Sequence, residues 1–322
     1  MKEYIDIDQP RTDQSTFSGR ASFFFATTNP LNVLATDEQL DAAKEIVDGY
    51  RARTLPADYD EEKLWAAKEL YDSAFHPQTG EKLFLPGRIS FQVPGNMLIT
   101  GCMLTFYKST PAVIFWQWAN QTFNAVVNYT NRNASVSVSN EQLGIAYALA
   151  CTASVSTALG FNKIVARSPR LSGGLIGRFV PLIAVAAANC INIPLMRQQE
   201  LKNGISIATA DGTVVGQSSQ AAANAIVQVI PSRIAMAIPG MVIPPVIMAK
   251  LEKTSTFIKN PWLRAPVTVL MTGIALAAST PLACAVFPQN AAISVDDLEP
   301  GLQSSVKSRF PGHSKFFYNK GL

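Results

Sequence analysis

Asn120, Asn124 and Asn128 recur at every fourth position, with Gln117 and Gln121 beside them, in a stretch that is otherwise apolar and aromatic. On a helix of about 3.6 residues per turn this spacing gathers the carboxamides into one stripe. A carboxamide donates and accepts hydrogen bonds without carrying charge, so the stripe suits a hydrated path or the carboxylate and ammonium of a zwitterion. Hydrogen bonding between neighbouring helices, or exposure at an interface, would use the same groups, and on sequence alone these readings stand side by side.

A second constellation is Asn189-Cys190-Ile191-Asn192-Ile193-Pro194-Leu195-Met196-Arg197. Pro194 removes an amide donor and frees carbonyls in the preceding turn, next to Asn189 and Asn192. Arg197 is placed to pair with a substrate carboxylate or to mark the headgroup boundary. Arg233 falls inside an apolar run that also holds Pro231, Pro239, Pro244 and Pro245, which is expected to be broken. A cation in a broken membrane helix is a site candidate; if the span begins after it, Arg233 is a boundary charge. His76, Thr79 and Glu81 sit in a His-Pro…Thr-Gly turn, as a gate or as a structural joint. There is no nucleophile with an adjacent base, no phosphate-cradling glycine loop and no carboxylate pair, so the chain is not expected to be an enzyme and needs no cofactor. The cysteines form no C-x-x-C pair and no metal spacing, so no metal is expected.

These groups need elements to hold them. Charged residues are only 16% of the chain and hydrophobic residues 48%, against about 25% charged in ordinary soluble domains. Residues 1–82 hold 16 Asp/Glu and 9 Lys/Arg, while residues 83–287 hold 4 and 14. An acidic head followed by an apolar body with basic connections fits a membrane carrying anionic lipid, and the net charge of +4 does not require nucleic acid. Residues 1–82 read as a soluble helical head, with capping patterns at Thr36/Gln39 and Asp58/Glu61. Apolar stretches follow at 89–107, 111–129, 143–161, 179–196, 222–248 and 266–287, most near the roughly 20 residues that cross a bilayer. The second, rich in Trp and amides, is equally suited to lie at the interface. The expected fold is therefore all-α and polytopic, with five or six membrane helices over 83–288 and a tail at 289–322. The most basic links, 162–178 and 249–264, belong on one side, with the tail opposite. The amino terminus lacks the features of a cleaved presequence.

Several of these segments resemble the sideroflexins, a family of mitochondrial inner-membrane proteins. The likeness runs through residues 10–17 (Pro-Arg-Thr-Asp-Gln-Ser-Thr-Phe), 75–82 (Phe-His-Pro-Gln-Thr-Gly-Glu-Lys), 115–118 (Phe-Trp-Gln-Trp), 124–132 (Asn-Ala-Val-Val-Asn-Tyr-Thr-Asn-Arg), 189–197 and 318–322 (Tyr-Asn-Lys-Gly-Leu). Gln78 stands where the family usually has Asp, and Thr12 where it often has Trp. The resemblance implies a multi-pass protein of the mitochondrial inner membrane, surrounded by its lipid, that carries serine, and also alanine and cysteine, to supply one-carbon metabolism. The residues expected to meet cargo or line its path are Gln117, Asn120, Asn124, Asn128, Asn189, Asn192, Arg197 and Arg233. Competing expectations are a membrane scaffold for respiratory or iron-handling machinery and a carrier of a carboxylic acid such as citrate.

Overall fold

Local capping chemistry starts the head helices. In the computed structural model, which describes residues 3–77, 79–131, 139–167, 178–286, 288 and 290–320, helix α1 (Phe17–Thr27) begins where the Thr16 side chain accepts from the Gly19 amide. Helix α2 (Asp37–Arg51) carries the full Thr36/Gln39 capping box. Helix α3 (Glu61–Ala74) is capped two residues later than the sequence pattern suggested: the Asp60 carboxylate accepts from the amides of both Glu62 and Lys63, satisfying two of the unpaired donors at the helix start. Leu40, Val47, Leu64, Tyr71 and Phe75 form the core of the head. The Ser90 hydroxyl, donating to the Ser73 carbonyl, ties that core to the next segment.

The body follows as α4 (Gln92–Phe106), α5 (Thr110–Thr130), α6 (Asn140–Arg167), α7 (Val180–Met196), the short α8 (Gln198–Asn203), α9 (Ser219–Leu251), the short α10 (Ser255–Lys259) and α11 (Arg264–Val286). Three helices, at Asn140–Arg167, Ser219–Leu251 and Pro261–Val286, are long and apolar enough to cross a membrane, and Val180–Met196 is a shorter apolar one. The proteins's fold is thus that of a helical, multi-pass membrane protein. The run expected to be broken by its four prolines is instead one 33-residue helix, α9. The Ser279 hydroxyl of α11 donates to the Met236 carbonyl of α9, one turn before Pro239, and ties the two helices together. Cys190 lies on an exposed face of α7, and the other three cysteines are half-buried.

Consecutive long helices reverse direction. Gly95 of α4 lies against Phe123 of α5, and Gly87, just before α4, against Thr130. Gly101 and Gly273 let α4 and α11 approach so closely that an added Cβ would strike Val269 or Met97. At one end of the bundle Arg178 forms an ion pair with Glu252 at 2.8 Å. This pair joins the two basic links and places them on the same side, as their charge suggests.

At the other end lies a sheet that the all-α expectation did not anticipate. Strands β1 (Ile205–Ala208) and β2 (Val214–Ser218) form an antiparallel pair, and the tail adds β3 (Asn290–Ser294), helix α12 (Pro300–Arg309) and β4 (Lys315–Asn319). The strand order is β2-β1-β4-β3. Ile207, Phe316 and Val306 pack there with Ala221 and Ala225, so the first turns of α9 belong to this unit.

Candidate functional site

Gln117 is the fully formed end of the amide stripe. Its amide nitrogen donates to the Tyr107 hydroxyl at 2.6 Å and to the Met103 sulfur at 3.7 Å. Its carbonyl accepts from the Ser154 hydroxyl of α6. Three helices therefore meet on a side chain with no exposed surface, and every polar atom of it is used.

Towards the sheet end the pairing stops. Asn120 and Gln121 are 3% and 2% exposed, and the amide nitrogens of both are buried with no hydrogen-bond partner. Asn124 and Asn128 are half-buried on the same stripe and make no side-chain hydrogen bond among the described residues. Because α4 and α5 are antiparallel with Met103 against Gln117, stepping three residues along each brings Thr100 level with Asn120. Seven residues bring Asn96 level with Asn124. The buried Thr100 and half-buried Asn96 thus continue the polar face on α4.

Helix α7 contributes from the opposite wall. It runs parallel to α5, with Val113 and Ala184 in one cluster, so eight residues further on Gln121 and Asn192 lie at one level, about 12 Å along both helices. Asn192 is 7% exposed, while Asn189 is half-buried. On α6, the pairing of Thr122 with Tyr147 at 2.8 Å carries the register on to Gln142, about level with Asn128. The Gln142 carbonyl oxygen is buried without a donor. The result is a seam roughly 17 Å long, in which unmatched donors lie above an unmatched acceptor. An orphaned buried amide costs about 1–3 kcal/mol, so this concentration is informative. Asn96, Thr100 and Gln142 were missed from sequence, although Gln92, Asn96 and Thr100 repeat every fourth residue on α4 as the amides do on α5; only the helix register brings them level with the stripe.

The two arginines expected with the amides are elsewhere. Arg197 binds the Glu200 carboxylate and donates to the Lys320 carbonyl at 2.8 Å, which fastens the end of α7 to β4. Arg233 is exposed, and its guanidinium makes no hydrogen bond or ion pair among the described residues. Since Ser279 lies against Met236, Arg233 stands level with the last turn of α11. That is the position of a boundary charge. His76, Thr79 and Glu81 form a closed turn: the Thr79 amide donates to His76 Nδ1 at 3.2 Å and the His76 amide to the Glu81 carbonyl at 2.9 Å. Phe75 and Lys82 pair across its base.

The sheet end is more fully paired, although the second oxygen of Glu299 is buried without a partner among the described residues. Arg20, 6% exposed, donates to the carbonyls of Ala285, Gln14 and Ser15. Lys320 is 1% exposed and donates to Gln228 at 3.1 Å; burial first, and the charge of Arg20 second, lower its pKa from the ordinary value. One oxygen of Glu299 accepts from the Gln220 amide and the Ser218 and Ser219 hydroxyls at the start of α9. Burial is the largest single influence on this carboxyl and pushes its pKa up, but the hydrogen bonds together outweigh it and hold the group at about 2.

Apolar crossing helices, a charge-free polar seam between them and basic links at one end define a multi-pass helical membrane protein. The sideroflexin family profile matches residues 6–322, and the chain belongs to that family. It is 56% identical to mouse Sideroflexin-1 and 54% identical to human Sideroflexin-1, in each case over 99% of this chain and 98% of the relative. Mouse Sideroflexin-3 is 53% identical over the same shares. No solved structure matches the chain.

Proposed function

We propose that this protein carries small zwitterionic amino acids, serine foremost, across the mitochondrial inner membrane, supplying one-carbon metabolism. The observation that carries the reading is the pair of buried, unpartnered amide donors on Asn120 and Gln121. Carboxamide N–H groups suit a carboxylate, and carboxamide and hydroxyl oxygens suit an ammonium or a side-chain hydroxyl. Cargo bound there supplies the partners that these groups lack, and the seam contributes no charge of its own. A multiply charged anion such as citrate would enter without a counter-charge, at a steep desolvation cost. No carboxylate lies on the seam among its described residues, so the proposed mode is exchange or facilitated passage down a gradient, without proton coupling and without a chemical step. Five or six helices crossing the bilayer accommodate it, with the basic links on the matrix side. The family resemblance supports the choice of serine and of the compartment.

The test is uptake of labelled L-serine into liposomes holding only the purified protein, with alanine and citrate as competitors. Saturable uptake suppressed by alanine and not by citrate is expected. Asn120→Ala should lower uptake about tenfold, the worth of one lost hydrogen bond to a charged group, while leaving membrane insertion intact. No uptake by the folded, unaltered protein would overturn the reading and favour a scaffold whose contact surface is the acidic head.

A further inference from the structure

The link between α9 and α11 holds four cations, Lys250, Lys253, Lys259 and Arg264, against one carboxylate, Glu252. That carboxylate is already engaged by Arg178. Lys250, Lys253 and Lys259 are exposed, and the ammonium groups of Lys253 and Lys259 make no hydrogen bond or ion pair among the described residues. Arg264, the first residue of α11, has its Nε buried without a partner. Apolar side chains are sorted within the same link: Phe257 is 8% exposed and turned into the protein, while Ile258 and Trp262 point outward at 63% and 71% exposed. In water an indole and a branched aliphatic side chain held outward among lysines gain nothing. At the level of lipid headgroups the arrangement is favourable, with the rings among the upper acyl chains and the ammonium groups among the phosphates. The link joins two helices long and apolar enough to cross a membrane, which sets it at a bilayer boundary.

We infer that this link is a binding site for the phosphate headgroup of an anionic phospholipid drawn from its own leaflet. Lys253 and Lys259 supply the charge, and Ile258 and Trp262 hold the link at the depth where the phosphate lies. Charge complementarity selects an anionic lipid, because the choline of a zwitterionic headgroup repels the same lysines. The site lies at the end of the bundle opposite the sheet, and the inference holds whichever cargo the seam carries.

The experiment is native mass spectrometry of the full-length protein in detergent, titrated with phosphatidylglycerol or phosphatidylcholine. The unaltered protein is expected to retain phosphatidylglycerol in preference, and a K253Q/K259Q variant to bind it roughly thirtyfold more weakly, with phosphatidylcholine retained equally by both. Both lysines are exposed, so the variant should keep the unaltered circular dichroism spectrum. Equal retention of phosphatidylglycerol by the variant would overturn the proposal, as would no preference over phosphatidylcholine. Displacement of the lipid by millimolar glycerol 3-phosphate would also overturn it, in favour of a soluble-phosphate site. Neutralising the remote Lys63 and Lys307 should change nothing; an equal loss there would reduce the effect to overall charge and sink the assignment.

Discussion

Two polar regions of this molecule, both withdrawn from solvent, are differently furnished. At the sheet end, Arg20 donates to three carbonyls and one Glu299 oxygen accepts from three donors. In the seam, Gln117 is satisfied, yet Asn120 and Gln121, within the next helical turn, have donors with nothing to bind. Buried polar groups that serve architecture find partners inside the fold, because an unmade bond costs about as much as a cap or a cavity. Among the described residues, Asn120, Gln121 and Gln142 gather three unmatched polar atoms along one seam, whereas the sheet end leaves one, the second Glu299 oxygen. The sheet end therefore reads as a fastening, and the seam as the surface on which the proposed cargo would find its partners.

This contrast can be broken most sharply at Arg20. Arg20→Ala removes three charge-assisted bonds from a buried site and is expected to cost about 3–5 kcal/mol, seen as a large fall in the melting temperature of the purified protein. A small fall would mean that the sheet end is not a fastening. Within the seam, Gln117→Leu strands the Ser154 and Tyr107 hydroxyls and should cost about 1–3 kcal/mol. Asn120→Leu should leave stability within about 1 kcal/mol of the unaltered protein, or raise it, since an unpaired amide gives way to an apolar group. Equal destabilisation by the two leucine variants would show that Asn120 has a structural partner after all.

The smallest effect concerns acid. Glu299 is held at about 2 in the folded protein, below its ordinary value of about 4.5, so the folded state favours the ionised form. Its contribution is full above pH 4.5 and is lost as the pH falls through 4.5 towards 2. With Glu299 only partly buried, that contribution is about 1 kcal/mol after allowing for solvent screening. The difference in stability between the unaltered protein and Glu299→Gln should therefore shrink across that window in acid unfolding curves, and a constant difference would count against the carboxylate clasp.

Much of this was legible in the chain. The Thr36/Gln39 box starts α2 as its spacing requires, and the apolar runs mark the long helices because a 20-residue hydrophobic segment has few other uses. The amide stripe follows from a four-residue repeat. What stayed hidden depends on partners distant in sequence. Strands β1 and β2 are four and five residues long, too short to show an alternating pattern, and their hydrogen bonding is completed by a tail strand that no local signal connects to them. Pro239 and its neighbours read as breaks, yet α9 is continuous and packs along α11, with the Ser279 hydroxyl on the Met236 carbonyl, a contact that the local sequence does not announce. Arg197 looked available for cargo because nothing nearby announces its bond to the Lys320 carbonyl.

The strand order also imposes a timetable. β4 is the last of the four strands in sequence and sits between β1 and β3, so the β1–β2 hairpin can form early while one edge of β1 stays open. That edge waits while α9 and α11 are emplaced, and contacts so distant in sequence close late. Until then an unpaired edge faces water as a template for wrong pairings. Maturation of the protein thus has a vulnerable interval, which ends when one five-residue strand arrives to complete the sheet.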